Sequence, residues 1–160
     1  MVNSQVKKEF IKIESKEFAF TKLMICGLCG SGITADEKFK KLKNGTVNKY
    51  IYYHCNRSKD RNCKVAYIRE EELIKQFEKL IDQVDINKID MKEKIRADIE
   101  RITGFMKFML NQEKKIETND IDVRNYAKYV LKYRSNFEKR ELLGCLKSKI
   151  LLKNKKIELG

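Results

Sequence analysis

Four of the five cysteines in this chain fall in two pairs whose spacing could hold a metal ion. Cys26 and Cys29 form a Cys-x-x-Cys turn, and Cys55 and Cys63 follow after a basic, aromatic-rich stretch. Such a turn brings two thiolates close enough to share one tetrahedral ion, and a second pair can close the site from a neighbouring hairpin. Gly30 is expected to let the turn curl, so that backbone N–H groups point at sulfur. Because four sulfur ligands leave no open position, the spacing predicts one structural Zn²⁺ and not a catalytic metal.

Two disulfides, or unrelated buried thiols, are the other interpretations of these cysteines. The sequence has no secretory signal and is typical of a cytoplasmic protein, where disulfides are rare. Cys145 lies apart in a helical segment and is predicted to be a small buried apolar residue. His54 could replace a thiolate, but four cysteines already fill the shell, so we expect an ordinary strand side chain there.

The elements that must position these cysteines are predicted as strands. The three segments are Phe18 to Ile25, Ile33 to Leu42, and Val47 to Tyr53. Asn44-Gly45 is a strong hairpin-turn signal, since both residue types tolerate positive φ. The third strand alternates, so Tyr50 and Tyr52 should share one face; one face should cover the metal and the other should meet solvent or a ligand.

From Arg69 onward the apolar period becomes helical. A seam with coiled-coil spacing contains Ile95, Ile99, Ile102, Met106, Met109 and Ile116. A break at Glu117–Asp122 separates it from a second helix, with one side made of Tyr126, Tyr129, Val130, Tyr133 and Phe137. Two helices joined by so short a turn must run antiparallel. They form either a two-helix core packed on the strands or a projecting hairpin for partner contact, and the pattern leaves both open.

The predicted fold class is α+β: a small zinc β-ribbon, an antiparallel helical hairpin and a short C-terminal strand. The last segment, Ile150 to Leu159, turns at Asn154 and should return to the ribbon. The predicted division is 1–17 as a lead-in, 18–68 as the ribbon, 69–149 as helices with the coiled-coil hairpin, and 150–160 as the returning strand.

The net charge of +13 is concentrated in the ribbon. Residues 21–68 hold ten Lys and Arg against three Asp and Glu, a net charge of +7. This density predicts a polyanion as partner, most simply double-stranded DNA, although a solvated charged face is the alternative. No apolar run is long enough to span a membrane. The candidate phosphate contacts are Lys38, Lys40, Lys41, Lys43, Lys49, Arg57, Lys59, Arg61 and Lys64.

The residues around the cysteines resemble the zinc β-ribbon of large serine site-specific recombinases, the DNA invertase and integrase family of phages and mobile elements. The shared pattern is Leu-x-x-Cys-Gly-x-Cys-Gly from Leu23, then Tyr-Tyr-x-Cys ending at Cys55, then a helix start at Ile68–Leu73. The x position is more often basic in the family, so His54 departs from it. The resemblance covers about residues 18–84 and continues weakly through Phe137–Leu143 and the last strand.

The resemblance implies a DNA-binding module of a recombinase, with the ribbon in the major groove and the coiled coil pairing recombinase subunits or copies of this chain. It also implies an N-terminal catalytic domain with a Tyr-x-Arg-x-Ser strand. Only 25 residues precede Cys26, and Ser4 and Ser15 lie outside such a motif. We therefore expect no catalysis by this chain alone, a prokaryotic or phage origin, and a gene fragment, a decayed element or a free-standing module.

Two other function classes stay open from the sequence. The helical hairpin could make the chain a protein-interaction module that binds no specific DNA. An enzyme with a catalytic metal is disfavoured, because no carboxylate or histidine set has metal or acid–base spacing.

Overall fold

A computed structural model describes residues 16–85, 93–101 and 123–160 of the chain. Its strands are β1 (Met24–Cys26), β2 (Ile33–Lys41), β3 (Val47–Cys55), β4 (Ile68–Arg69), β5 (Ile150–Lys153) and β6 (Lys156–Leu159). Its helices are α1 (Glu70–Gln83), the helical residues 93–101 (α2), α3 (Val123–Tyr133) and α4 (Asn136–Gly144). The α+β fold class predicted from the sequence is confirmed.

The described residues form two small three-stranded sheets. One has the order β2-β3-β4, and the other has the order β1-β5-β6. In the second sheet β1 runs parallel to β5, with Met24 opposite Ile150, so the first strand and the C-terminal hairpin lie side by side. The buried residues of both sheets and of all four helices belong to one hydrophobic cluster, which contains Phe20, Tyr53 and Phe77.

The β2–β3 hairpin has the predicted position but a different turn. Gly45 has a φ of 85°, and its N–H donates to the Leu42 carbonyl at 3.0 Å. Asn44 is absent from the described residues with positive φ. Its side-chain oxygen accepts instead from the backbone N–H of Thr46 at 3.1 Å. The turn is thus a five-residue loop with glycine as the left-handed residue, and asparagine contributes through its side chain.

The predicted first strand is wrong over Phe18 to Leu23, because β1 begins only at Met24. Side chains from elsewhere take the backbone groups of this segment. The Arg140 guanidinium donates to the carbonyls of Phe18 and Ala19 at 2.5 and 3.2 Å. The segment is therefore a buried turn held by α4, and no pattern local to residues 18–25 signals that partner.

Helices α1 and α3 run antiparallel and pack through buried apolar residues that include Phe77 and Leu131. Two ion pairs join α3 to α1 along this contact: Lys128 pairs with Asp82 at 2.7 Å, and Lys132 pairs with Glu78 at 2.8 Å. Residue numbers rise along α3 while those of their partners fall along α1, so the two helices point in opposite directions.

The predicted second helix of the hairpin is two helices. The first of these, α3, ends at Tyr133. Ser135 is the N-cap of α4 and forms a capping box with Glu138, so a new helix begins there. Phe137 therefore belongs to α4 and not to the α3 stripe. In the other helix, Ile95 and Ile99 are buried in the common core. The remaining seam positions, from Ile102 on, and the break at 117–122 lie outside the described residues.

The C-terminal hairpin turns at Asn154 and Lys155, which both have positive φ, as a two-residue hairpin loop requires. The Gln76 side chain docks this hairpin on α1. Its amide donates to the Lys155 carbonyl at 2.6 Å and accepts from the Ile157 N–H at 2.9 Å. Among the described residues, no helix is long and apolar enough to cross a membrane.

Candidate metal centre and basic surface

The four cysteines that the spacing predicts as ligands lie together. The sulfurs of Cys26, Cys29, Cys55 and Cys63 are all within 4.8 Å of one another. Cys26 and Cys63 are 3.6 Å apart at sulfur, and Cys29 and Cys55 are 3.4 Å apart. None of the four is in a disulfide, so the predicted alternative of two disulfides does not describe this structure.

These separations suit a single zinc ion. A tetrahedral zinc with Zn–S bonds near 2.3 Å has sulfur–sulfur edges of about 3.8 Å. The observed pairs are slightly shorter than that edge. Four cysteine sulfurs are also a donor set that is common in structural zinc sites.

Backbone N–H groups point at three of the four sulfurs, each from the residue two positions on. Arg57 donates to Cys55 at 3.2 Å, and the N–H groups of Ser31 and Val65 serve Cys29 and Cys63 in the same way. Such donors stabilise negative charge on sulfur. The first knuckle closes through the Gly30 N–H, which donates to the Cys26 carbonyl at 2.8 Å.

Three of the thiols differ in acidity because their surroundings differ. Hydrogen bonds from the side chain and backbone of Ser31 lower the pKa of Cys29 to about 6. Burial raises the pKa of Cys55 above its usual range. The Val65 N–H lowers the pKa of Cys63, but burial and the neighbouring thiols outweigh it and raise that pKa to about 12. Of these three thiols, Cys29 therefore becomes a thiolate most readily.

Buried Ser31 connects the first cysteine pair to the loop that carries the second. Its hydroxyl lies 3.0 Å from the Cys29 sulfur and accepts from the Lys59 N–H at 2.9 Å. The Gly32 carbonyl accepts from the Asn56 N–H at 3.0 Å. These contacts set the loop at 56–62 against the first knuckle. The spacing of the cysteines does not reveal Ser31, since serine is common in such turns.

Gly27 in the first knuckle lies directly against β5. Its N–H donates to the Leu152 carbonyl at 2.9 Å, and a Cβ at this position would lie 2.9 Å from the Cβ of Lys153. The cysteine cluster thus joins the two sheets, because Cys26 ends β1 and Cys55 ends β3.

The other two candidate ligands lie outside the cluster, as predicted. His54 points to the opposite face of β3, where its ring lies 2.9 Å from an Asp36 carboxylate oxygen and 4.5 Å from the Tyr67 ring centre. Cys145 is half-buried at the end of α4, and its thiol donates to the Glu141 carbonyl at 3.3 Å.

The structure distributes the nine predicted phosphate contacts over four places. Residues paired directly across an antiparallel ladder share a face, so Lys38, opposite Tyr50, and Lys40, opposite Asn48, share one face of the hairpin. Lys41 and Lys49 lie on the other face. Lys43 is in the turn, and the remaining four lie in or beside the loop between the last two cysteines: Arg57, Lys59, Arg61 and Lys64.

Sequence reasoning missed Arg69, the last residue of β4. It lies opposite Tyr52 in the ladder, so β4 places it on the same face as Lys38. Arg69 directly precedes the acidic first turn of α1, so the sequence pattern assigns it to the helix. Only the pairing of a two-residue strand reveals it.

Residues 19–82 match the family model of the recombinase zinc beta ribbon domain. This match confirms the resemblance predicted over residues 18–84, with all four cysteines inside it. Residues 19–82 are therefore similar to the zinc ribbon of recombinases.

A crystal structure of an LSR–DNA complex is similar to this chain, with a TM-score of 0.49 and 16% sequence identity. The match covers 92% of this chain and 57% of that chain, so the present sequence spans little more than half the length of that protein. No curated protein matches this chain.

Proposed function

We propose that this chain is a DNA-binding zinc-ribbon module that acts in site-specific recombination and contacts double-stranded DNA through its ribbon. The single observation that carries the proposal is the four-sulfur cluster inside a recombinase zinc ribbon domain. The +7 charge of residues 21–68 supports the DNA part, because phosphate contacts need positive charge within reach. We place the module in the cytoplasm, where reduced thiols persist.

The zinc part of the proposal is that Cys26, Cys29, Cys55 and Cys63 hold one structural Zn²⁺. A zinc ion would supply the cross-link between the two sheets, while the backbone N–H groups stabilise the thiolates. Reduced protein should contain one zinc per chain by elemental analysis. A Cys55→Ala variant should lose the metal, and the matched Cys145→Ala variant should keep it. Reduced wild-type protein without stoichiometric zinc would refute this assignment.

The DNA part is tested by the salt dependence of binding. Affinity of the whole chain for a duplex should fall steeply with salt, because each phosphate contact releases counterions. Changing Arg57 and Arg61 together to alanine should flatten the slope by roughly two. The matched control changes Lys75 and Lys79, two exposed lysines of α1, and should alter it less. Binding that shows no salt dependence would favour the protein-interaction module instead.

We further propose that the chain does not cut or rejoin DNA by itself. The closed four-sulfur shell leaves no coordination position for substrate. Supercoiled plasmid should therefore stay intact with purified protein and added Mg²⁺. Cleavage that disappears on substitution of one serine of this chain would overturn this proposal.

Self-association or pairing with recombinase subunits through the helical hairpin stays a prediction. The exposed aromatic residues Tyr133 and Phe137, at 72% and 67% exposure, favour a contact surface near this part of the chain. The described base of the hairpin is core, since Ala127 and Leu131 are fully buried. Deletion of 91–137 would remove that core, so the deletion must be confined to 102–122.

That shorter deletion, closed with a Gly-rich linker, should keep zinc and duplex binding. It should abolish any concentration-dependent dimer seen by sedimentation. A dimer that persists would place the association surface elsewhere, for example on the exposed aromatic residues of α3 and α4.

A further inference from the structure

One face of the β2–β3–β4 sheet carries a row of alternating cations and aromatic rings. We name it the aromatic face and define it by Lys38, Tyr50, Tyr52, Tyr67 and Arg69. Strand pairing places Lys38 opposite Tyr50 and Arg69 opposite Tyr52, and Tyr67 precedes β4. This set lies opposite the side of the sheet that buries Tyr53 and Cys55.

Each cation of the aromatic face lies over two rings. The Lys38 ammonium is 5.3 Å from the Tyr52 ring centre and 5.6 Å from that of Tyr67. The Arg69 guanidinium is 5.0 Å from the Tyr50 ring centre and 5.7 Å from that of Tyr52. Contacts at this range hold a cation over a ring without neutralising it.

The opposite face of the same hairpin is organised differently. Lys49 pairs with Glu37 at 2.5 Å, and Lys16 pairs with the same carboxylate at 2.5 Å. In the part of the chain that the structure describes, neither Lys38 nor Arg69 has such a carboxylate partner. The Asp36 carboxylate also lies on the aromatic face, opposite Tyr52, but it pairs with His54 at 2.9 Å. The charges of Lys38 and Arg69 are thus available to an external anion, whereas Lys49 is already partly neutralised.

We propose that the aromatic face is the surface that takes the phosphate backbone of duplex DNA, with Lys38 and Arg69 as the central contacts. The inference rests on the proposed DNA-binding function and assigns it to one side of the ribbon. The occupant follows from charge complementarity, because Lys38 and Arg69 are cations that form no carboxylate ion pair among the described residues, and such cations bind phosphate oxygens.

Ring contacts also make these two cations efficient phosphate ligands. A free lysine or arginine loses rotamer freedom when it binds, and this loss opposes association. Lys38 and Arg69 are already held over rings in the unbound chain, so less freedom is lost on binding. The same argument gives little weight to Lys40. It lies on this face opposite Asn48, and among the described residues no aromatic ring lies beneath it.

The experiment compares two double variants of the whole zinc-loaded chain, each two charges less positive. Lys38→Ala with Arg69→Ala changes the aromatic face, and Lys41→Ala with Lys49→Ala changes the opposite face. Duplex binding is measured by fluorescence anisotropy over a salt series. Each phosphate contact makes binding at 0.1 M salt about eightfold tighter than at 1 M salt. The first variant lacks two such contacts, so at 0.1 M salt it should bind duplex about sixtyfold more weakly than wild type.

The salt slope should also fall by roughly two for the aromatic-face variant and by clearly less for its control. Equal effects of both variants, or a larger effect of the control, would overturn the assignment to this face while wild-type binding still stands. Wild-type protein that shows no salt-dependent duplex binding would instead overturn the proposed function. Tighter binding of a single strand than of a duplex would overturn the choice of occupant.

A ring substitution separates positioning from charge. Tyr67→Leu removes a ring from beneath Lys38, and Tyr67→Phe keeps it. The leucine variant should bind duplex a few-fold more weakly at unchanged salt slope, and the phenylalanine variant should bind more tightly than the leucine variant. Zinc content of one per chain in every variant shows that the ribbon is intact. Identical affinities of the two Tyr67 variants and wild type would show that the ring has no part in binding.

Discussion

Gly27→Ala should destabilise the zinc-loaded chain, because this glycine lies where the metal knuckle meets β5. The added Cβ would be 2.9 Å from the Cβ of Lys153, whereas carbon atoms in contact prefer about 3.5–4.0 Å. The knuckle and β5 must therefore separate by about 0.6–1.1 Å. That shift would stretch the 2.9 Å hydrogen bond from the Gly27 N–H to the Leu152 carbonyl beyond normal range.

The magnitude follows from two effects. Overpacking of a well-packed site costs about 1–3 kcal/mol, and the weakened hydrogen bond adds about 1 kcal/mol. We therefore expect Gly27→Ala to lower the free energy of unfolding by about 2–4 kcal/mol. Urea unfolding at saturating zinc, followed by far-ultraviolet circular dichroism, measures this as a lower midpoint at unchanged slope.

Gly144→Ala is the matched control, because a Cβ there meets nothing within 4 Å. Gly144 ends α4, so alanine should leave stability unchanged or raise it by up to about 1 kcal/mol. If Gly27→Ala unfolded at the wild-type urea concentration, the close approach of the knuckle to β5 would be disproved. Equal losses in both variants would point to a general intolerance of alanine.

Three further perturbations test other contacts. Arg124→Met removes the guanidinium that caps the Ile81 and Val84 carbonyls at the end of α1; it should cost about 1–3 kcal/mol in urea unfolding, well above Lys128→Met. Gln76→Ala should loosen the C-terminal hairpin, and hydrogen exchange of the Ile157 N–H should become faster than in wild type. Burial raises the pKa of Glu138, but hydrogen bonds from Ser135 and Arg134 outweigh this and hold it below its usual range. Its folded-state pKa is thus depressed, so its stabilisation is present above the unfolded pKa and lost as pH falls, and Glu138→Gln should lose less thermal stability than wild type between pH 6 and pH 3.

The cysteine cluster could be predicted from the sequence because ligands of one metal ion must lie close together, and a Cys-x-x-Cys spacing achieves this within one turn. The Cys-x-x-Cys turn and the hairpin that returns Cys55 are local features. Their hydrogen bonds are local as well, since each donor lies two residues beyond its sulfur. The predicted hairpin likewise follows from alternation and the Asn44-Gly45 signal.

Long-range partners explain what the sequence did not show. The segment from Phe18 has strand-like composition, but Arg140 takes its carbonyls from more than a hundred residues away. The Arg140 guanidinium takes the carbonyls that a neighbouring strand would otherwise bind, and the composition of this segment does not reveal that partner. Similarly, Arg69 resembles a helix-flanking charge until β4 pairs with β3, and a strand of two residues leaves almost no periodic signal.

The position of the cysteine cluster also explains how β1 and the C-terminal hairpin are joined to the β2–β3–β4 sheet. Cys26 ends a strand whose parallel partner is β5, while Cys55 ends a strand of the other sheet. An ion held by both would therefore fix one sheet against the other. Arg140 and Gln76 make independent attachments, at the segment before the knuckle and at the last hairpin. Because those attachments do not involve sulfur, metal loss should disorder the knuckles and loop first, and the α1–α3 pair should resist longest.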